Sequence, residues 1–331
     1  MRAVVVREFG GIEAASIGEM PKPAPKPGEV LVEVHATATN FVDLLVIGGK
    51  YQFLPQRPFV PGKGPAGVIA ALGEGVTRLK VGDRVLAMAE IGGYAEYAVA
   101  PASDCYRLPD AMSFVDAAAS AVIYDTAWIA LHDRARLKPG ETVLVLGATG
   151  GVGLAAIGLA KAAGARVLAG ISSRDKEDIV RAAGADAIID LAAPDLHDSL
   201  RAQVYAHTNK QGADVILDML GGDIFDAAIR ALAWCGRLVV IGFAAGRIPT
   251  VKANYLLLKN IEVSGMQVSD YRKRRPELMA KCFADIFTLF ATGRLKPPPV
   301  TTYPLEGFAT ALHAVENRSA RGRIVLTQGK D

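Results

Sequence analysis

The chain has 331 residues, 51% hydrophobic and 21% charged, a composition that excludes intrinsic disorder and, at roughly 150 residues per domain, suggests two domains. Its 37 Lys and Arg against 34 Asp and Glu leave a net charge of +3, too small to mark a nucleic-acid binder. Three widely spaced cysteines, Cys105, Cys235 and Cys282, exclude a disulfide framework or a CxxC metal knuckle and fit a reducing, cytoplasmic setting.

The N-terminal stretch Met1-Arg2-Ala3-Val4-Val5-Val6-Arg7-Glu8 has no apolar core of signal-peptide length, so no signal peptide is expected. Pro21, Pro23, Pro25 and Pro27 form a stiff connector into an alternating strand, Val30 to His35. From Pro61 to Pro109, Gly-rich turns recur: Pro61-Gly62, Gly73-Glu74-Gly75, Gly82-Asp83 and Gly92-Gly93. Short strands at that spacing predict a small barrel. Apolar spacing then predicts a helix from Asp116 to His132.

Beyond Pro139-Gly140, strands and helices alternate. The predicted strands are 142–146, 166–170, 187–190, 214–218, 237–242 and 261–264, with near-continuous Val, Leu and Ile. Such βα repeats predict an α/β fold with a doubly wound parallel sheet covered on both faces. Helices near 276–291 and 307–316 and a strand at 323–327 close the chain. The basic cluster Arg272-Lys273-Arg274-Arg275 reads as solvated surface.

The run Thr142 to Ala160 holds no charged residue over 19 positions, the length of a membrane span. Four glycines within seven residues, Gly147, Gly150, Gly151 and Gly153, interrupt it and would badly weaken a spanning helix. They suit a strand, a tight turn and a helix whose N-terminal N–H groups meet a phosphate. No membrane association is expected. Ala148, Thr149, Gly150, Gly151, Val152 and Gly153 are the candidate phosphate loop. Gly150 is assigned the turn and close pyrophosphate approach, and Gly153 close helix packing.

An NAD site places Asp or Glu at the end of the second strand, to hold the ribose 2′-hydroxyl. Here that strand runs into Ser172-Ser173-Arg174, then Asp175 and Lys176. Hydroxyls and a guanidinium fit a 2′-phosphate. Ser172, Ser173, Arg174 and Lys176 therefore point to NADPH. The alternatives are a solvated Arg174 with Ser173 or Asp175 capping the next helix, and NADH held by Asp175.

Taken together, several stretches resemble the zinc-free medium-chain dehydrogenase/reductases, in their NADPH:quinone oxidoreductase branch. They are 27–32 (PGEVLV), 40–43 (NFVD), Pro61-Gly62 with Ala66-Gly67-Val68, 81–85 (VGDRV), 93–97 (GYAEY), 148–153 (ATGGVG) and 321–326 (RGRIVL). The resemblance implies a GroES-like β-barrel catalytic domain from residues 1–122 and 266–331, with a Rossmann NADP-binding domain, 123–265, inserted. It also implies a homodimer. Zinc-dependent relatives carry Cys at the position of Asn40 and His-Glu at Lys63-Gly64, so no metal is expected, and the five histidines show no ligand spacing.

The same resemblance assigns Asn40, Tyr51 and Thr126 to the catalytic site, with Asn40 and Tyr51 polarising an acceptor oxygen. It places Gly242, Phe243 and Ala244 near the nicotinamide ribose and Gly265 and Met266 near the carboxamide. Arg318 would reach the 2′-phosphate. Leu45 and Ile47, where relatives carry an aromatic and a basic residue, imply a more apolar pocket. Lys63 reads either as an attractor of anions or, more simply, as an exposed side chain. The leading reading is NADPH-dependent reduction of a quinone without metal. One alternative is reduction of the C=C bond of an enone or acyl thioester. The other is an NADPH-binding structural or RNA-associated protein.

Overall fold

The β-branched run Thr142–Leu146 lies inside a six-stranded parallel sheet in the computed structural model, which describes residues 1–329. Across the sheet the strands run Ala187–Asp190, Arg166–Ile171, Thr142–Leu146, Ala213–Asp218, Leu232–Val240, Glu262–Gly265. Numbered along the chain this is the order 3-2-1-4-5-6, with every neighbouring pair parallel. The winding direction reverses between Thr142–Leu146 and Ala213–Asp218, where ligands of open α/β sheets bind beyond the strand carboxyl ends. Leu144, Leu146, Leu168, Ile189, Ile216 and Leu238 pack with Leu200, Val204 and Phe225 on the flanking helices.

The uncharged run is thus a buried strand, a turn and the helix Gly151–Ala162. Among the described residues, no single helix is long and apolar enough to cross a membrane.

The predicted helix 116–132 is divided. Phe114–Ser120 ends before Val122, whose φ of 68° lies in the left-handed region, and Ile123–Trp128 follows, continued by a wider turn through Ile129–Arg134. Apolar periodicity runs across such a break because both pieces bury their faces, so spacing alone does not locate it.

The ten-residue strand Glu29–Ala38 organises a second sheet. Its order is Val300–Pro304, Arg323–Thr327, Glu29–Ala38, Ala66–Leu72, Arg84–Ala87, Cys105–Arg107, and Tyr97–Pro101 also pairs with Glu29–Ala38. Both chain ends therefore build this sheet. Irregularities between Leu31 and Val32 and between Val34 and Ala36 curve the long strand. Val30, Val32, Ile69 and Val85 fill one core; Val4, Ile47, Phe308 and Leu326 fill another.

The chain divides into two compact units. One comprises Met1–Val122, Arg272–Ala291 and the chain from Pro297 on; the other comprises Ile123–Tyr271 and Thr292–Lys296. The nucleotide-type unit thus continues to Tyr271, past the expected boundary at 265, and reclaims a short later segment. Side-chain bonds account for this. Tyr271 Oη donates to Asp133 Oδ2 at 2.7 Å, Arg294 donates to the Ala162 carbonyl at 2.7 Å, and Leu295 packs against Gly158.

Candidate functional site

In the second unit the turn after Thr142–Leu146 is set by Gly147, at φ +78°. That conformation is costly for any residue with a Cβ. Gly150 instead has an ordinary extended backbone (φ −78°, ψ 165°), and a Cβ there would meet nothing closer than the Gly147 carbonyl at 3.4 Å. The assignment of the turn to Gly150 is therefore corrected: Gly147 makes it. At Gly153 a Cβ would sit 2.4 Å from the Gly147 carbonyl oxygen, so the helix packs on the loop as expected of this position. The Leu154 N–H reaches the Gly150 carbonyl at 2.9 Å. The N–H groups of Gly151, Val152 and Gly153 precede that bond at the positive end of the helix dipole, an anion-binding arrangement. Ala148 is buried and donates to the Gly170 carbonyl at 3.1 Å, and Thr149 completes the turn.

At the end of Arg166–Ile171, Ser172, Ser173 and Arg174 line a cavity of about 170 Å³ with Ile171, Ile188, Asp190 and Ala192. The capping alternative is also realised: Ser173 Oγ accepts the Asp175 N–H at 3.4 Å. Arg174 is exposed and contacts Glu177 at 3.1 Å, and Glu177 also holds Arg181. Lys176 belongs to the same short turn but not to the cavity lining. An acid does line this cavity, but it is Asp190 from the next strand, with one oxygen occupied by the Ala192 N–H at 2.9 Å. Leu191 is buried in the core.

Gly242, Phe243 and Ala244 follow Leu232–Val240, and Gly265 and Met266 end and follow Glu262–Gly265, at the same carboxyl edge. The N–H groups of Gly242, Ala244 and Met266 are bonded to the carbonyls of Asp218, Met219 and Val240. Of the backbone groups expected at Met266, the N–H is thus already taken within the sheet. Thr126 is buried, its N–H on Asp125 Oδ1 at 2.8 Å. Sequence reasoning missed Asp218, a fully buried carboxylate that accepts the Leu220 and Gly221 N–H groups and shapes the loop beside Gly147. Burial holds its carboxyl above the usual range.

In the first unit, Asn40 caps the helix Phe41–Ile47. It is only 5% exposed. Its N–H donates to Asp43 Oδ2 at 2.8 Å, its Nδ2 donates to the Ala38 carbonyl at 3.1 Å, and its Oδ1 accepts from Arg323 Nη2 at 2.7 Å. Tyr94 Oη donates to the same Asp43 oxygen at 2.8 Å. Burial pushes the Asp43 carboxyl up to about 6, against the opposing pull of Tyr94, the Asn40 N–H, Lys63 and Arg323. The Tyr94 hydroxyl is driven well above its ordinary range, first by burial and then by Asp43.

Tyr51 is half-buried, edge-on to Phe53, with the Lys63 ammonium 5.4 Å from its ring centre. Lys63 is not exposed: it is buried and ion-paired with Glu90, whose other oxygen takes Arg272 Nη1 at 2.7 Å. Arg272 is buried too, so the basic cluster is not wholly solvated; one carboxylate partners two cations and makes their burial tolerable. Ile47 points into the core rather than lining a pocket, and Leu45 is half-buried. Arg318 follows the helix Phe308–Glu316 with φ +55°. Asn40, Tyr51 and Arg318 thus belong to the first unit, and the phosphate loop, the serines, Arg174 and Thr126 to the second.

Comparison with known proteins bears on this arrangement. An alcohol dehydrogenase GroES-like domain model matches residues 26–110, and a zinc-binding dehydrogenase model matches 151–284. The chain is 38% identical over 301 residues to the quinone oxidoreductase-like protein 2 homolog of Nematostella vectensis, covering 90% of this chain and 81% of that protein. It is 34% identical over 329 residues to human quinone oxidoreductase, covering 98% and 97%. The structure of Escherichia coli quinone oxidoreductase complexed with NADPH superposes with a TM-score of 0.88 at 28% identity, covering 99% and 100%. The chain belongs to the quinone oxidoreductase branch of the medium-chain dehydrogenase/reductase family.

Within that family's frame, most of the overlooked pairings join groups distant in sequence. Arg323 lies 283 positions from Asn40, Glu90 lies 182 from Arg272, and Tyr94 lies 51 from Asp43. Asp43 and Asp218 act locally: Asp43 is an acid three residues after a cap position, and Asp218 takes N–H groups two and three residues on.

Proposed function

We propose that this chain reduces quinones with NADPH and without metal. The observation that carries the reading is a 3-2-1-4-5-6 parallel sheet with a glycine turn at its switch point, in a chain whose relatives include a quinone oxidoreductase complexed with NADPH. The residues present fit that cofactor. Gly153 leaves no room for a side chain, the N–H groups of Gly151 to Gly153 would take the pyrophosphate, and Ser172, Ser173 and Arg174 would take a 2′-phosphate. When bound, NADPH supplies the hydride. Asn40 then donates a hydrogen bond to the acceptor oxygen and Tyr51 offers its ring and hydroxyl. Preorganised donors of this kind are worth most where burial excludes water.

Donor chemistry supports the metal-free reading. Among the described residues no three His, Cys, Asp or Glu are grouped to hold a metal, and Lys63 brings a buried cation to a position where zinc-dependent relatives have a ligand. Three free thiols support a cytoplasmic setting. Exposed Ile248, Leu257 and Leu258, on the segment leading into the sheet-edge strand Glu262–Gly265, support a homodimer through that edge. Light scattering of wild type and of Leu257→Asp/Leu258→Asp tests the dimer, with a monomeric double variant expected.

Steady-state NADPH oxidation against a panel of quinones tests the function, with turnover expected for at least one. No turnover with any quinone, together with a saturated product from an enone, would replace it by C=C reduction.

A further inference from the structure

Arg323 opens the strand Arg323–Thr327, which runs antiparallel to Glu29–Ala38 with Val325 opposite Ala38. The pairing continues one step further, the Thr39 N–H reaching the Ile324 carbonyl at 2.9 Å. Extending the same register places Arg323 opposite Asn40. Arg323 is buried, and its Nε is anchored on the Ala119 carbonyl at 3.0 Å while Nη2 meets Asn40 Oδ1 at 2.7 Å.

These partners settle the orientation of the amide chemically. A guanidinium has only donors, so the atom facing Arg323 is the amide oxygen; the Ala38 carbonyl only accepts, so the atom facing it is the nitrogen. The oxygen is thereby engaged by a buried cation, and one N–H of Nδ2 is spent within the chain. A second N–H remains. The charge on Arg323 also draws electron density toward the amide oxygen, which makes that N–H a stronger donor.

We infer that Arg323 is a positioning residue that fixes the Asn40 carboxamide as a hydrogen-bond donor only, committing this position to acceptors that present an oxygen lone pair, such as a quinone or ketone carbonyl. An alcohol, which must give up its O–H proton, finds no acceptor at Asn40. The inference rests on the reading above in which Asn40 meets the acceptor oxygen.

The test uses the full-length protein with NADPH and 1,4-benzoquinone. Arg323→Gln is expected to lower kcat about 10- to 100-fold, with the KM for NADPH within about twofold, and Arg323→Lys to restore most of the loss. In an Asn40→Ala background, Arg323→Gln should cost less than about threefold, because the two residues act as one unit. An undiminished loss in that background overturns the inference. Asn40→Asp, which still pairs with Arg323 but offers no amide donor, should be as impaired as Asn40→Ala. Near-wild-type turnover by Asn40→Asp overturns the donor assignment even if Arg323→Gln fails to fold. If the wild type reduces no quinone, the proposed function falls on its own, and protein labelled with ¹⁵N-asparagine decides the positioning. The Asn40 side-chain signals, assigned by their loss in Asn40→Asp, should shift and exchange faster with water in Arg323→Gln but not in Arg323→Lys. Signals indifferent to Arg323→Gln overturn the inference.

Discussion

In the second unit the candidate site is made mainly of backbone: the left-handed Gly147 and the N–H groups of Gly151 to Gly153. In the first unit it is made of side chains held by other side chains, as Asn40 is by Arg323 and Asp43 is by Tyr94. A backbone site depends on glycines that leave room, and it fails when a Cβ is added. A side-chain site depends on complementary donors and acceptors, and it fails when one partner is removed or changes charge.

The largest effect should follow from filling the backbone site. Gly153→Val puts carbon where the Gly147 carbonyl stands 2.4 Å from the ideal Cβ, a clash costing about 2–3 kcal/mol of stability. Thermal unfolding and NADPH titration should show a marked loss of both stability and binding. If NADPH affinity stays intact, the pyrophosphate does not lie against this helix and the contrast between the units collapses.

Removing a partner comes next. Asp43→Ala strands the buried Tyr94 hydroxyl and the Asn40 N–H, for an expected loss of about 2–3 kcal/mol in denaturant unfolding. Asp43→Asn should behave oppositely above neutral pH. Both hydrogen bonds go to a single oxygen, which the amide retains. The sign follows from linkage. Burial raises the folded carboxyl from 3.8 to about 6, so its stabilising contribution is complete below the unfolded value and is lost as pH rises through about 6. Wild type should therefore lose stability relative to Asp43→Asn between pH 4 and 7, and a parallel pH profile for the two would refute the assignment. The pull of Lys63 and Arg323 on the carboxylate is already contained in the value of about 6 and does not reverse the sign.

Arg174→Ala should raise the KM for NADPH roughly tenfold and leave that for NADH nearly unchanged, the response of an exposed guanidinium on a phosphate. A smaller gain is expected from Glu177→Gln, which releases Arg174 from its ion pair. Exposed pairs are worth under about 1 kcal/mol, so an improvement of no more than a few fold is expected in the same assay. The smallest effect should be that of Gly150→Ala, within about 0.5 kcal/mol by thermal unfolding. Its backbone is ordinary and its nearest neighbour stands 3.4 Å away.

The two units also differed in how much of them could be read in advance. In the nucleotide-type unit, strands predicted at 142–146 and 187–190 are the observed ones, and the predicted 166–170 and 214–218 differ by one residue at an end. Buried parallel strands declare themselves as apolar runs, and the turn between strand and helix as glycines. Even there, which glycine makes the turn was misread. All four look alike in sequence, and only φ separates Gly147 from Gly150. The break at Val122 was hidden for a related reason: a left-handed valine leaves no trace in apolar spacing.

What the sequence by itself determined about this protein is its periodicity and local chemistry: the βα array, the glycine-rich turn and the absence of an acid at the second strand end. Those features are written within a few residues of one another. Tertiary structure alone decided that Lys63 and Arg272 are buried around one carboxylate, that Asp190 enters the serine-lined cavity, and that Arg323 turns the Asn40 amide. Each of these is a pairing between groups far apart in the chain, and register across strands, rather than spacing along them, determines which donor meets which acceptor.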